Sequence, residues 1–315
     1  MLRTRAAAAA RVRQFFARRG VLEVETPLLA AAGTPEVHLD SVACGVGGRT
    51  LYLQTSPEFH MKRLLAAGSG PLYQLFRAVR GGEAGRRHNL EFTLLEWYRP
   101  GFDHHALMDE VEELLAAVLG TERLRPGARV TYGELFRRHL GLDPHAADVA
   151  ELDRAVAAAA LAGAGDPGPI FAPDDRDGRL HLLMALAVEP RLPRGLVFVY
   201  DYPASQASLA RVRPGAGGAP AVAERFEAYV DGVELANGFH ELTDAGEQRR
   251  RFAADLAHRR AHGLPEVPLD ERLLAALAAG LPPSAGVALG FDRLVMLATG
   301  AASIAEVLAF PTDRA

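Results

Sequence analysis

Between Arg80 and Tyr98 the chain reads RGGEAGRRHNLEFTLLEWY, which sets Arg80, Arg86, Arg87 and His88 beside Glu83, Glu91 and Glu96. A planar guanidinium grips a phosphate or carboxylate through two parallel hydrogen bonds, which an ammonium cannot do. Arg80 is therefore suited to an α-phosphate. Arg293, at the head of an apolar stretch behind a Gly-rich turn, is suited to the outer phosphates, because an arginine in apolar surroundings is costly without an anion. Glu234 and Glu241 stand seven residues apart in GVELANGFHEL. Strict alternation would put them on opposite faces of a strand, and a bend or bulge at Asn237-Gly238 would bring them together. Two convergent carboxylates suit magnesium on a nucleotide or the ammonium of a cationic substrate. Each feature has a plainer alternative: a solvated charged hairpin, surface salt bridges at the glutamates, an ordinary tight turn at Gly286 and Gly290.

These residues need elements to hold them. PLYQLFRAV before the arginine cluster and LEFTLLEWY after it alternate as strands do, and Gly81, Gly82 and Gly85 between them read as a turn, so a long β-hairpin with a charged tip is predicted. SPEFHMKRLLAAG, residues 56–68, reads as a helix with Ser56 as cap, Pro57 in the first turn, Glu58 near the positive end and Gly68 at the exit. SAGVALGFDRLVMLATG is a Gly-spaced strand entering an apolar helix. LVFVYDYP (196–203) is an apolar strand, and AERFEAYVDGVELANGFHEL holds two strands around Asp231-Gly232, a hairpin dipeptide.

Elsewhere, residues 6–19 form a first helix with Val12, Phe15 and Phe16 on one face. VLEVETPLL is extended, residues 30–50 are loop-rich, LYLQT (51–55) is a short strand, and a charged helix spans about 244–262. Residues 103–120 form an amphipathic helix with Leu107, Val111, Leu114, Leu115 and Val118 inward; Asp109, Glu110, Glu112 and Glu113 fall largely on the other, solvated face. About 121–195 is an Ala-rich helical insertion. Its Asp174, Asp175 and Asp177 lack the downstream glutamate of a calcium loop and read as a surface turn.

At 315 residues, 49% hydrophobic, the chain can bury a large core. A net charge of −4 does not favour wholesale nucleic-acid attraction. No apolar run reaches the ~18 residues of a membrane helix. The single cysteine, Cys44, excludes an internal disulfide and a cysteine-rich zinc site, and fits a reducing, cytoplasmic setting. The Arg/Ala-rich start could be mistaken for a transit peptide, but it runs without a break into VLEVETPLL.

Taken in order, these stretches resemble a known family. VLEVETPLL looks like motif 1 of the class II aminoacyl-tRNA synthetases, FRAVRGGEAGRRHNLEFTLLEWY like motif 2, and GVALGFDRLVML like motif 3. SPEFHMKRLL and ELANGFHEL narrow the resemblance to the lysyl branch. Motif 1 begins about twenty residues in, which leaves no room for an anticodon-reading OB-fold. With YDYPASQASLA and EVLAFPTDRA, the chain is similar to the elongation factor P–lysine ligase family. That family consists of stand-alone paralogues of the lysyl-tRNA synthetase catalytic domain. They attach lysine, preferentially (R)-β-lysine, to a lysine of elongation factor P.

The resemblance implies a single α+β domain over 1–315, an antiparallel sheet flanked by helices, and a homodimer through motif 1. It implies ATP and Mg2+ as cofactors, elongation factor P and lysine or (R)-β-lysine as partners, and no tRNA and no membrane. By the match, Arg80 holds the α-phosphate and the substrate carboxylate, and Arg293 the outer phosphates. His88 and Asn89 lie at the nucleotide, Glu234 and Leu235 contact ATP, Glu234 through magnesium with Glu241 as a second metal candidate, and Gly290 lets adenosine approach the backbone. Tyr98 and Glu241 match recognition of the side-chain ammonium; Ser56, Pro57 and Glu58 match the segment holding the backbone amine.

Two departures stand out. The lysyl enzymes have Gly-x-Gly-x-Gly where this chain has Gly286-Val-Ala288-Leu-Gly290; the methyl of Ala288 would narrow the pocket near the substrate's amine, which is consistent with a shifted amine as in a β-amino acid, though one methyl discriminates only modestly. Motif 2 usually runs Arg-Asn-Glu, whereas Arg80 here precedes Gly81-Gly82 and the acid comes as Glu83. Either Glu83 takes the adenine role after a small loop shift or the adenine loses a contact. The alternatives are a truncated tRNA-charging enzyme and an inactive synthetase-like binding subunit; the absent OB-fold counts against the first, retention of Arg80, Glu234, Glu241 and Arg293 against the second.

Overall fold

The computed structural model describes residues 1–120, 124–161, 172 and 175–315. Asp174 of the acidic cluster lies outside them. In chain order the elements begin with α1 (Leu2–Ala17), β1 (Leu22–Glu23), β2 (Leu29–Ala30), β3 (Ala43–Val46), β4 (Arg49–Leu53), α2 (Glu58–Ala66), β5 (Leu72–Val79), β6 (Glu91–Pro100) and α3 (His104–Leu119). There follow β7 (Ala128–Thr131), α4 (Tyr132–Leu140), α5 (Val149–Leu161), α6 (Arg176–Leu183), β8 (Leu196–Pro203), β9 (Val212–Arg213), β10 (Val222–Val230) and β11 (Val233–His240). The last are α7 (Ala245–Ala261), α8 (Glu271–Gly280), β12 (Ser284–Gly290) and α9 (Phe291–Thr299). The fold is α+β, its sheets mainly antiparallel and flanked by helices. No helix among the described residues is long and apolar enough to cross a membrane.

The chain divides into two compact units, Met1–Thr121 with His240–Ala315, and Glu122–Phe239. In the first, the strand order is β1-β5-β6-β12, with β1 parallel to β5 and the other pairs antiparallel. The predicted hairpin is β5 and β6, in register from Leu72↔Tyr98 to Val79↔Glu91. Odd-numbered β6 residues face the core. Trp97 is fully buried, and Phe16 of α1 stacks on Tyr73 with ring centroids 4.4 Å apart. α1 buries Ala8, Val12, Phe15 and Phe16, as its periodicity predicts, and starts earlier than residue 6.

α3 corrects one expectation. Its apolar positions are inward, but Glu110 and Glu112 are buried too, not solvated. Glu110 Oε2 accepts from the indole N–H of Trp97 at 3.0 Å, and Arg99 and Arg19 lie 3.5 and 3.8 Å away. A buried carboxylate is tolerable when paired in this way. Burial still pushes Glu110 up, with Arg99 opposing.

In the second unit β11-β10-β8-β7 run in order, with β9 on β10. Asp231 and Gly232 both have positive φ, 50° and 76°, which suits the two-residue hairpin their types predict. α4, α5 and α6 lie between β7 and β8 in sequence. α4 opens with a capping box from Thr131 and Glu134 and buries Tyr132, Leu135 and Phe136.

Candidate active site

One face of β6 and β12 gathers several of the candidate residues. The register sets Gly286 beside Tyr98, Ala288 beside Glu96 and Gly290 beside Leu94. Even-numbered positions of β6 therefore share a face with the three small residues of β12. Gly286 is glycine for a steric reason: a Cβ there would lie 2.3 Å from the Tyr98 ring and 2.4 Å from Glu241 Oε1. Tyr98 and Glu241 close over the strand where it has no side chain.

Around this point Glu96 and Glu241 are buried and Glu58 is half-buried. Glu96 Oε1 accepts from the Tyr98 hydroxyl and Oε2 from the Ser56 hydroxyl, both at 2.7 Å. Ser56 Oγ also accepts from the Glu58 amide at 3.0 Å, so it caps α2 from two positions upstream; Pro57 takes the formal cap position and the helix begins at Glu58. Lys62, one turn on from Glu58, sets its ammonium 2.6 Å from Glu58 Oε1 and 2.7 Å from Glu241 Oε2. Glu241 Oε1 is buried and takes no hydrogen bond from a side chain among the described residues.

Burial sets the protonation. Glu96 is pushed up to about 8, first by burial and then by the nearby Glu58. Glu241 is pushed up to about 7 by burial, against the pull of Lys62. For Lys62, burial works against its charge, but the carboxylates of Glu241 and Glu58 outweigh it and raise the ammonium. Tyr98 is held well above the ordinary phenol value by burial and by Glu96. The cage holds more acid than cation, which is what a site for an ammonium substrate needs.

Further along the same face, four residues or about 13 Å from Glu96, the Arg80 guanidinium lies 5.0 Å over the Phe92 ring. Arg80 Nε donates to the Thr55 carbonyl at 3.2 Å, and Nη1 is 3.5 Å from Glu83. Glu83 thus pairs with Arg80 in this structure. Gly82 has φ +74°, a conformation that favours glycine over Asn or Glu. The Gly81 amide donates to the Asp40 carbonyl at 2.8 Å, and a Cβ on Gly81 would be 3.0 Å from that of Asp40. The Gly81-Gly82 departure therefore has a local cause: the tip is folded tightly against Asp40. Asp40 is held in turn by Arg259 of α7, 1% exposed, which donates to Asp40 Oδ1 at 3.0 Å and to the carbonyls of Glu36, Leu39 and Pro265.

Arg293 lies in the first turn of α9. The helix is anchored by buried Asp292, which pairs with Arg5 and accepts from the Thr93 amide at 2.7 Å. Arg293 donates from Nε to the Arg87 carbonyl at 3.4 Å, and its Nη2 is 2.7 Å from His88 Nε2. Burial, then Arg293, lowers the His88 imidazole and favours its neutral form as acceptor. Asn89 Oδ1 accepts from the amide and hydroxyl of Thr312, at 3.1 and 3.2 Å, so Asn89 ties the hairpin to the C-terminal residues. At Gly290 an added Cβ would lie nearest the Arg293 side chain, at 3.4 Å.

Glu234 and Leu235 belong to the second unit. The pairing of β10 with β11 passes from Ala228↔Ala236 to Tyr229↔Glu234, so Leu235 is an extra residue. The predicted irregularity exists, but at Leu235; Asn237 and Gly238 pair regularly with Glu227 and Phe226. The extra residue puts Glu234 on the same face as Asn237 and Phe239. Leu235 is buried and Glu234 half-buried.

Sequence reasoning assigned no role to Glu96 or Lys62. Each had a signal: an acid within the apolar run LLEWY on the same face as Tyr98, and a lysine four residues after Glu58.

Residues 1–314 match the family described as tRNA synthetases class II (D, K and N). Relatives from Salmonella paratyphi B, Salmonella schwarzengrund and Salmonella enteritidis PT4 are each named elongation factor P–(R)-β-lysine ligase. Each is 52% identical to this chain over 318 residues, which span 99% of this chain and 94% of the relative. With motifs 1, 2 and 3 in order and an acid cage on the strand face, the chain belongs to the class II tRNA synthetases of the D, K and N type and, within them, to the elongation factor P–(R)-β-lysine ligase family.

Proposed function

We propose that this protein is an ATP-dependent ligase that activates lysine or (R)-β-lysine as an aminoacyl-adenylate and transfers it to the ε-amine of a lysine on elongation factor P. The observation that carries this reading is the cage over Gly286 made by buried Glu96 and Glu241 and half-buried Glu58, with Glu241 Oε1 taking no side-chain hydrogen bond among the described residues. A carboxylate cage with a phenol selects a long cationic chain over a neutral one, because a neutral chain leaves buried charge unpaired.

In the first step a substrate carboxylate oxygen attacks the α-phosphorus of ATP and pyrophosphate leaves. Arg80 holds the carboxylate and α-phosphate, and Arg293 the outer phosphates. Both are oriented beforehand by backbone carbonyls, so they stabilise developing charge without reorganising. His88, Asn89, Gly82, Glu83 and Gly290 complete the nucleotide site on the first unit. In the second step the acceptor ε-amine attacks the carbonyl carbon, loses a proton, and AMP leaves.

Glu241 is a poor magnesium ligand here, since its carboxylate already faces the Lys62 ammonium at 2.7 Å. Glu234, half-buried, offers the single carboxylate that a largely water- and phosphate-bound magnesium requires. A magnesium ion held there would supply positive charge to a nucleotide. Ala288, in register with Glu96, narrows the cage toward a shifted amine. The protein works as a homodimer; Leu22, Leu28 and Leu29 of the motif 1 segment are 53, 37 and 37% exposed, an apolar surface that a second copy would cover.

The test is a transfer assay with ATP, magnesium and labelled lysine or (R)-β-lysine, offered elongation factor P or bulk tRNA. Label on the protein, absent from tRNA and lost in Glu241→Ala, is expected. Label on tRNA, or no ATP–pyrophosphate exchange with either amino acid, would overturn the reading.

A further inference from the structure

Lys62 is 2% exposed, and its ammonium joins two carboxylates from separate elements, Glu58 of α2 and Glu241 beyond β11. Glu96 is not among its partners and is held by Ser56 and Tyr98. A lysine buried this deeply is costly unless it does electrostatic work. We propose that Lys62 is a built-in counter-ion and specificity-determining residue of the acid cage: it cancels one of three carboxylates, so that with all three ionised in the substrate complex two net negative charges remain, the number that a substrate with two ammonium groups neutralises. This rests on the cage being the amino-acid site.

The count explains why three acids converge where a lysine-type substrate brings only two cations. Without Lys62 a bound diammonium substrate would leave one buried carboxylate uncompensated. With it, a substrate lacking either ammonium does so. Such a charge is expensive at low dielectric, so the cage rejects both 6-aminohexanoate, which lacks the backbone amine, and norleucine, which lacks the side-chain amine. The charges acting on each group are few. Lys62 feels Glu241 and Glu58; Glu241 feels Lys62 and Glu58; Glu96 feels Glu58 and Glu241 and bonds Tyr98. α8 packs against α2, and the Asp270 that caps it and its Arg272 act on His60, not on the cage. The raised Glu96 and Glu241 agree with a cage short of cations before substrate arrives.

Lys62 acts on the substrate through the carboxylates, so the test needs a readout that packing would not move. Carboxyl carbon titrations of Glu96 and Glu241 in the free protein, by NMR, are compared among wild type, Lys62→Met and Lys62→Arg. Loss of an adjacent opposite charge should raise the Glu241 midpoint in Lys62→Met by about one to three pH units, with a smaller rise at Glu96. Lys62→Arg should keep both midpoints. In lysine-dependent ATP–pyrophosphate exchange, Lys62→Met should raise the KM for lysine at least about tenfold near pH 7. It should move the acid limb of kcat/KM to higher pH and leave the KM for ATP unchanged.

A lower lysine KM in Lys62→Met would mean that Lys62 merely plugs the seat, and would overturn the proposal. So would a fall in kcat with unmoved carboxyl midpoints, the mark of a packing role. If Lys62→Met does not fold, Lys62→Arg decides: midpoints moved by more than about one unit refute the counter-ion, and unmoved midpoints with discrimination against 6-aminohexanoate intact support it. If wild type shows no exchange with either amino acid, the substrate reading fails, while the titrations still report what Lys62 does to the carboxylates.

Discussion

Replacing Glu96 by Gln tests whether the cage is held at the expense of stability. Gln keeps the shape and can still bond Ser56 and Tyr98, but has no charge to bury. Glu96 titrates at about 8 in the folded protein, against an ordinary 4.5. Between these values the folded protein keeps a proton that the unfolded chain has lost. Stability from this group is therefore fully present below about pH 4.5 and disappears as pH rises through about 8. At ~1.36 kcal/mol per pH unit the full difference is about 5 kcal/mol. Relaxation, and the loss of two bonds to a carboxylate, should leave about 2–3 kcal/mol. Urea unfolding should thus find Glu96→Gln within about 1 kcal/mol of wild type at pH 5 and more stable by about 2–3 kcal/mol at pH 8.5. Lysine-dependent ATP–pyrophosphate exchange should move the other way, kcat/KM falling about 100-fold or more as a buried ammonium loses its partner. Equal stability changes at both pH values, or a destabilised variant at pH 8.5, would refute this account of the cage.

Three further outcomes follow from the geometry. Gly286→Ala drives a methyl into Tyr98 and Glu241, with contacts of 2.3 and 2.4 Å; the lysine KM should rise about 100-fold while the ATP KM stays within twofold, measured by exchange. Arg259→Met removes the clasp on residues 36–40 and so the support for Gly81; stability to unfolding should fall by about 3 kcal/mol, and the ATP KM should rise while the lysine KM holds. Leu22→Asp with Leu29→Asp should halve the mass seen by light scattering after size exclusion, and an unchanged mass would remove motif 1 from the dimer contact.

Local pattern carried much of the fold. Alternation revealed β5 and β6, Asp231-Gly232 the turn between β10 and β11, and the Gly-spaced SAGVALG the strand β12 before α9. These features depend on neighbours in sequence. The extra residue at Leu235 does not, because the pairing of β11 against β10 decides which residue is left over, and Asn237-Gly238 was the more visible candidate. Glu110 shows the same limit: helix periodicity set it outside, but Trp97 of β6 supplies an indole donor that draws it in. In the cage, Ser56, Glu58, Tyr98 and Glu241 were legible as a set through their motifs. Lys62 and Glu96 were visible as residues but not as members, since what joins them is burial among acids brought from distant parts of the chain. The Gly81-Gly82 departure became intelligible only with Asp40 in view.

The tie between Asn89 and Thr312 has a consequence for the order in which the protein can become active. The hairpin tip is also bonded to later residues through Arg86, whose side chain donates to the Ala302 carbonyl and whose carbonyl accepts from Ile304. These partners leave the ribosome more than two hundred residues after the tip. β12, α9 and this segment are made after the unit Glu122–Phe239, which is one continuous stretch. During synthesis that unit can complete its own sheet while the half-made first unit waits. Arg293 and the hairpin tip it touches at Arg87 and His88 are thus brought together only after some two hundred further residues have been made.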